Sequence, residues 1–205
     1  MSDVQPERFA PTSGRGLGVL GIVLAATVVG FGLADRDAGF ADWGIAVAAL
    51  VGVLTWAAVL RPRVSLVGEH LELRNMLETI HIPLAAIEEL ALRQLLAVRV
   101  GEKRFVSPAL GKSRRQLHGR PALGSGPVAN RMRGRSADAN ATVDYADFVE
   151  QRIRQRIADE RAAHGVRPGS AEQQALASGV RRQPAWPEIV VLAALAVVAV
   201  VTFVV

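Results

Sequence analysis

Three long apolar runs dominate the pattern of this 205-residue chain, and a middle region of short alternating segments separates the second from the third. The runs cover residues 16–34, 43–60 and 189–205, are 17 to 19 residues long, and contain no charged residue. A helix that crosses the hydrocarbon core of a bilayer needs about 20 apolar residues, within a range of about 17–25. The pattern therefore predicts a membrane protein with three spanning helices.

The first two runs predict a transmembrane hairpin over residues 16–60, with spans at 16–34 and 43–60 after an N-terminal tail at 1–15. A signal peptide is the alternative for the first run. That run is longer than the roughly 7–15 apolar residues of a signal-peptide core, and no convincing A-x-A cleavage site follows it. The second run also begins directly after the acidic segment 35–42. We therefore interpret the pair as a hairpin.

Small residues recur every four positions in both spans of the hairpin, at Gly44, Ala48 and Gly52 and at Ala26 and Gly30. Small residues at this spacing let helix backbones approach closely in lipid. The spacing predicts that the two spans contact each other along these faces. Ala46 lies on a different face of the second span, and we expect it to tolerate a larger side chain.

The distribution of basic residues predicts the orientation in the membrane. Short loops on the cytoplasmic side carry an excess of Lys and Arg. The loop at 35–42 has three acids and one Arg, whereas basic residues flank both ends of the middle region: Arg61, Arg63, Arg74, Arg167, Arg181 and Arg182. We predict a multi-pass plasma-membrane protein with its N-terminus and middle region in the cytoplasm and its C-terminus outside.

The middle region, residues 61–165, predicts a domain of antiparallel strands followed by one helix. Between residues 63 and 110 apolar residues alternate in short segments separated by turn residues. Gly101-Glu102 has the form of a two-residue hairpin loop, with Gly at the first central position of a type II′ turn. The adjacent carboxyl groups of Glu88 and Glu89 are expected on opposite faces of a strand, which excludes an acid–base pair.

A segment rich in Gly, Pro, Ser and Arg at 107–141 predicts a long loop. It holds one acid and seven basic residues: Lys112, Arg114, Arg115, Arg120, Arg131, Arg133 and Arg135. An amphipathic helix is predicted after it, capped by Thr142 or Asp144 and ending near Gly165. Its apolar stripe is Tyr145, Phe148, Val149, Ile153 and Ile157. Residues 166–187 are a predicted polar linker, in which a short helix is possible at 171–178, and the last spanning helix covers 188–205.

The middle region resembles the bacterial pleckstrin-homology (PH) domain family in several short sequence segments: "RPRVSL", "LELRN", "IPLAAIEEL", "AVRVGEKRF" and "ALGKSRRQL". The similarity is to the version found in small actinobacterial membrane proteins related to low-molecular-weight antigens, and it covers roughly residues 61–120. It implies a curved, seven-stranded barrel-like sheet closed by a helix, and hence an α+β membrane protein. It brings no ligand with it, because the first hairpin turn carries Glu69 where phosphoinositide-binding members have basic residues.

The sequence contains no recognisable catalytic or cofactor motif. There is no cysteine, which excludes disulfides and cysteine metal sites. Gly111-Lys112-Ser113 resembles the end of a phosphate-binding loop, but the required earlier glycine is Val106. The four histidines are scattered without ligand spacing. We predict a protein that is not an enzyme and has no cofactor.

The basic loop is the candidate site of the sequence, and three interpretations of it stay open. Its basic residues contact anionic lipid headgroups, or they form a solvated loop whose charge supports topology, or they meet a protein partner. The lack of interleaved aromatic residues argues against nucleic acid.

The hypothesis for the whole chain is a non-enzymatic scaffold or accessory subunit that presents its PH-like domain at the cytoplasmic membrane face. Its expected partners are membrane lipids and either another protein or a second copy of the chain. The alternative is a lipid-headgroup-binding or transport-associated component. Intramembrane ionisable residues would favour that alternative, and the three runs contain none.

Overall fold

A computed structural model describes residues 6–10, 15–34, 41–111 and 129–204. In the helix that begins at residue 129, side chains are described from residue 145 onward. The chain divides into two compact units. The sheet unit comprises Met1–Ser13, Arg63–Leu73 and Ile80–Arg181, and the helical unit comprises Gly14–Pro62, Arg74–Thr79 and Arg182–Val205.

The elements follow one another along the chain in this order. First come β1 (Glu7–Phe9), α1 (Arg15–Ala34), α2 (Asp42–Thr55) with a π-helical turn (Trp56–Leu60), β2 (Arg63–Val67), β3 (His70–Arg74) and β4 (Glu78–Pro83). A 3-10 turn (Leu84–Ala86), β5 (Glu89–Leu92), β6 (Leu96–Val100) and β7 (Lys103–Ser107) follow. The chain then forms α3 (Ala129–Ala163), α4 (Ala171–Leu176), a 3-10 turn (Ala177–Gly179), β8 (Arg181–Pro184) and α5 (Trp186–Val204).

Three helices of the helical unit are long and apolar enough to cross a membrane: α1, α2 with its π-helical turn, and α5. This confirms the three predicted helical runs. The hydroxyl groups within them are satisfied locally, since Thr27, Thr55 and Thr202 each donate to the carbonyl four residues earlier at 2.7–2.8 Å. Such internal hydrogen bonds are what a hydrocarbon environment requires of a polar group.

The contact between α1 and α2 uses small residues, but only some of those predicted. A Cβ atom added to Gly52 would lie 3.0 Å from the Cβ atom of Ala25. The buried residues of α1 are Gly18, Ala25 and Gly32, spaced seven apart. Ala26 and Gly30, which the four-residue spacing placed in this contact, are exposed within the described part of the chain. The contacting face is therefore rotated from the predicted one.

A second contact joins α2 to α5, which the sequence analysis did not predict. The rings of Trp43 and Phe203 meet edge to face, with centroids 5.8 Å apart. Ala46 and Ala199 lie about one helical turn from these rings, and both are buried. The expectation that Ala46 lies off any contact face is wrong, because α2 has a neighbouring helix on two sides.

The strands form a five-stranded sheet in the order β1-β2-β3-β4-β8 and a three-stranded sheet in the order β5-β6-β7. The pairs β1–β2, β5–β6 and β6–β7 are antiparallel. The eight strands among the described residues include β1, which lies in the predicted tail, where Phe9 pairs with Val64 and is buried. A strand of three residues is too short to show alternation, which explains why the sequence did not reveal it.

The turn between β6 and β7 agrees with the prediction. Val100 pairs with Lys103, which leaves Gly101 and Glu102 as a two-residue loop. Gly101 has a φ of 56°, and no described residue other than glycine has a positive φ. A positive φ at the first central position alone is what a type II′ turn requires.

The helix α3 packs one face on the core of the sheet unit, through buried Ala146, Val149, Ile153 and Ile157. Phe148, predicted in this apolar stripe, is 59% exposed. The helix begins at Ala129 rather than at Thr142 or Asp144, so 129–141 of the predicted loop is helical. That stretch is rich in Ala and Arg, has no proline, and contains only one glycine, so its helix propensity is adequate.

Residues 166–187, predicted as a polar linker, are largely folded. The possible short helix at 171–178 is confirmed by α4. Gln173 in α4 is 1% exposed, and its amide donates to the carbonyl groups of Ala85 and Ile87 at 3.2 Å each. Leu176 and Ala177 pack against the core. The sheet unit therefore continues to Arg181 rather than ending at residue 165.

Candidate functional site

The predicted lipid-contact residues lie mostly outside the described part of the structure. Lys112, Arg114, Arg115 and Arg120 lie outside the described residues. Arg131, Arg133 and Arg135 fall within α3, where the backbone alone is described. No group of three or more potential metal ligands occurs among the described residues. Two other constellations of charged side chains, one in each unit, are well defined.

The first constellation is built around Arg61, at the end of the second membrane-length helix. The π-helical turn closes with a hydrogen bond from the Arg61 amide to the Trp56 carbonyl at 3.0 Å. Wide turns of this kind often occur at functional positions. The Arg61 residue is only 6% exposed, so its guanidinium must find partners within the protein.

Glu188 and the turn between β3 and β4 supply those partners. The Nε of Arg61 lies 2.7 Å from Oε1 of Glu188, in the first turn of α5. The Nη1 of Arg61 donates to the carbonyl oxygens of Met76, at 2.8 Å, and Asn75. We call these four residues the Arg61 cluster. All of them belong to the helical unit, which includes the turn residues Arg74–Thr79.

Further bonds within the helical unit hold the same turn. The amide of Ala185 donates to the carbonyl of Leu77 at 2.8 Å. Glu78 and Arg182 form an exposed ion pair at 3.9 Å. The carboxylate of Glu188 also lies where the positive end of a helix dipole favours a negative charge. Within the helical unit, the cluster thus joins the end of α2, the beginning of α5 and the segment Arg74–Thr79 through one buried guanidinium.

From the sequence, Arg61 was interpreted as a determinant of topology, and its pairing with Glu188 was not predicted. A usable signal was present, since the orientation prediction put the end of the second run and the beginning of the third on the same side. Arg61 and Glu188 are the charged residues nearest to those two ends. The other flanking arginines, Arg63, Arg74 and Arg181, are exposed, as a topology signal expects.

The second constellation is a recess of about 400 Å³ on the outer face of the three-stranded sheet. We call it the arginine groove, and its defining residues are Glu89, Ala91, Arg93, Ala97, Arg99 and Arg104. Strand alternation directs Leu90, Val98 and Phe105 into the core.

Cross-strand pairing arranges the groove in rows. Glu89 pairs with Arg99, and Arg99 pairs with Arg104, so these three residues form one wall. Ala91 pairs with Ala97 in the adjacent row and forms the floor, and Arg93 follows at the end of β5. The floor residues have small side chains, whereas the arginines around the floor have long, exposed side chains.

The charges of the groove are only partly compensated. Nε of Arg99 lies 3.7 Å from a carboxylate oxygen of Glu88 and 3.5 Å from one of Glu89. Glu88 precedes β5, and its carboxylate also accepts a hydrogen bond from the Gly101 amide at 3.1 Å. Arg93 and Arg104 are exposed and form no ion pair with another described residue.

Comparison of the chain with protein-family models, with curated proteins and with solved structures finds no match. The function is therefore inferred from the residues and geometry of these two constellations.

Proposed function

We propose that this chain is a non-enzymatic membrane scaffold or accessory subunit, which presents a PH-like domain at the cytoplasmic face of the plasma membrane. Support for the PH-like fold comes from the two sheets, whose strands share one hydrophobic core with α3. The sequence segments that resemble the PH family, from "RPRVSL" to "ALGKSRRQL", lie in β2 to β7 and in the residues that flank these strands.

The observation that carries the presenting role is that a turn of the sheet belongs to the helical unit and is held there by Arg61. Between residues 62 and 182 the chain passes from one unit to the other four times, at 62/63, 73/74, 79/80 and 181/182. A domain that only recruits a protein to the membrane needs one flexible tether. Four covalent connections between the units suit a presenting role better than a single tether does.

The proposed orientation is a transmembrane hairpin followed by a third span, with residues 35–42 and the C-terminus outside. Its support is the exposed Arg63, Arg74, Arg181 and Arg182 beside the spans. Aromatic residues lie near both ends of the proposed spans. Trp43 and Phe203 meet at one end of α2 and α5, whereas Trp186 is 65% exposed at the opposite end of α5. Aromatic residues at both ends of spans are typical of membrane interfaces.

The presenting role predicts a stoichiometric partner, either another protein or a second copy of the chain. The full chain is purified from membranes in mild detergent after brief cross-linking, and the mass of the complex is measured. A discrete complex that disappears in denaturing detergent is expected. A monomer that carries lipid alone would contradict the scaffold.

The alternative is a lipid-headgroup-binding or transport-associated component. The residues that would serve transport best, Arg61 and Glu188, are bound to each other and to backbone carbonyls rather than spread along a pathway. Lipid binding by Arg131, Arg133 and Arg135 is tested separately. Replacing these three with Gln should weaken the attraction of the protein to anionic vesicles, at about 1 kcal/mol for each residue near the surface.

A further inference from the structure

We propose that the arginine groove binds an acidic, extended peptide segment of a partner protein, through two carboxylates on either side of a small or apolar side chain. This inference rests on the proposed presenting role and names the chemical class of the partner. The groove consists of residues that the sequence analysis did not single out as a site. None of its residues belongs to the basic loop at 107–141.

The first argument is the charge of the groove. Arg99 lies near the carboxylates of Glu88 and Glu89. Arg93 and Arg104 form no ion pair with another described residue, so two guanidinium groups of the groove are available to a ligand. Arg99 and Arg104 lie directly opposite each other on β6 and β7. Like charges in this cross-strand position destabilise a sheet. A bound anion removes that cost, so the arrangement favours a ligand with two negative charges.

The second argument is the spacing. Ala91 and Ala97 form a low floor between the row of Arg99 and the position of Arg93. Arg93 follows Glu89, the pairing partner of Arg99, by four residues, which is about 13 Å at roughly 3.3 Å per residue. Two carboxylates four residues apart in an extended peptide are separated by the same distance. The residue midway between them would lie over the alanines.

The third argument concerns the chemistry of recognition. Guanidinium groups bind planar carboxylates with two parallel hydrogen bonds, which gives orientation as well as attraction. The groove residues include no aromatic side chain on which a nucleic-acid base could stack. The recess of about 400 Å³ has the size of a site for a few side chains. These features favour a peptide over nucleic acid.

The test uses the full chain in nanodiscs of neutral lipid, with a fluorescent blocked peptide, "GEAVAEG", as the probe. Fluorescence anisotropy measures its affinity, and "GQAVAQG" is the uncharged control peptide. We expect the acidic peptide to bind at least about tenfold more tightly than its control. We also expect binding to weaken as salt rises from 0.1 to 1 M, because the Debye length falls from about 10 Å to about 3 Å.

Two variants test the groove itself. Arg104→Gln removes an exposed guanidinium and should weaken binding about tenfold, the size of one charge-assisted hydrogen bond. Ala91→Leu fills the floor without changing charge and should also weaken binding. Arg167→Gln, an exposed arginine outside the groove, is the matched control and should leave the affinity unchanged.

Several results would overturn the inference: no binding at low salt, equal affinity for both peptides, or undiminished binding by Arg104→Gln. Displacement of the probe by inorganic phosphate as effectively as by unlabelled peptide would assign the groove to simple anions instead. Displacement of the probe from neutral nanodiscs by a soluble short-chain anionic phospholipid, as effectively as by unlabelled peptide, would assign the groove to lipid headgroups and make the peptide assignment wrong. If the groove does not bind the acidic peptide, the proposed presenting role is not affected, because that role is tested separately by the mass of the cross-linked complex.

Discussion

Replacing Arg61 with Met should strongly destabilise the helical unit. Methionine retains much of the apolar stem of arginine and removes the guanidinium. The Glu188 side chain, only 12% exposed, would then be a buried carboxylate without its counter-charge. The carbonyl oxygens of Asn75 and Met76 would lose their shared donor as well. Breaking a buried ion pair by removing one partner costs about 3–5 kcal/mol, and we expect an effect of that size.

A double-mutant cycle separates the ion pair from simple loss of packing. Glu188→Leu alone leaves Arg61 buried without its carboxylate and should cost a similar amount. The double variant Arg61→Met/Glu188→Leu replaces both charges with apolar groups, which is often neutral for buried pairs. Because the two carbonyls still lack a donor, at about 1–3 kcal/mol for an unsatisfied buried group, the double variant should fall between the native protein and the single variants.

The assay is the unfolding free energy of the full chain in mild detergent, followed by the fluorescence of its three tryptophans, one of which, Trp186, lies two residues before Glu188. Arg182→Gln is the matched control in the same unit. It breaks the Glu78–Arg182 pair, in which the side chains are 36% and 56% exposed. Exposed pairs of this kind contribute about 0–1 kcal/mol. If Arg61→Met is as mild as Arg182→Gln, or if the single effects add in the double variant, the reasoning about the Arg61 cluster is wrong.

Two further predictions concern the helix contact and the N-terminal strand. Gly52→Ile should lower the yield of folded protein in membranes, because its Cβ would lie 3.0 Å from that of Ala25. Gly30→Ile should be mild, because no atom lies within 4 Å of a Cβ added there. Equal yields of the two variants would refute the contact between Gly52 and Ala25. The Arg152 guanidinium, which hydrogen-bonds both carboxylate oxygens of Glu7, holds the pKa of that carboxyl below its usual range. The Glu7–Arg152 pair therefore stabilises β1 at pH values above the usual pKa of a glutamate, about 4.3. This stabilisation is lost as the pH falls through the lower pKa that Glu7 has in the folded protein. Amide exchange at residues 7–9 should accelerate at that pH in the native protein. In Glu7→Gln it should be independent of pH in that range, once the intrinsic exchange rates are taken into account.

The sequence predicted the elements whose apolar periodicity is long or whose turn chemistry is specific. The spanning helices and the Gly101-Glu102 turn are of this kind, because each depends on local residues. β1 was missed, since its three residues gain stability only from pairing with β2. The start of α3 was misplaced because 129–141 was read together with the Gly-, Pro- and Ser-rich residues before it, although its own Ala and Arg residues favour a helix.

The candidate sites were harder to predict, because they depend on contacts between distant residues. Arg61 and Glu188 are 127 positions apart, and neither lies in a motif. The arginine groove depends on strand register, which places Arg99 opposite both Glu89 and Arg104. A shift of one residue would send the same side chains to the other face. The charge composition of the sequence predicted a site in the basic loop at 107–141 instead of in the arginine groove.

The most direct test of the presenting role is the side of the membrane on which the sheet unit lies. The chain has no cysteine, so single cysteines at Ala38, Ala91 and Ala177 can be introduced one at a time without background. Intact cells are treated with a membrane-impermeant thiol reagent, and lysed cells serve as the control for reactivity. The account predicts labelling at position 38 alone in intact cells, with positions 91 and 177 labelled only after lysis. Labelling at position 91 in intact cells would place the sheet unit outside and contradict a role at the cytoplasmic face.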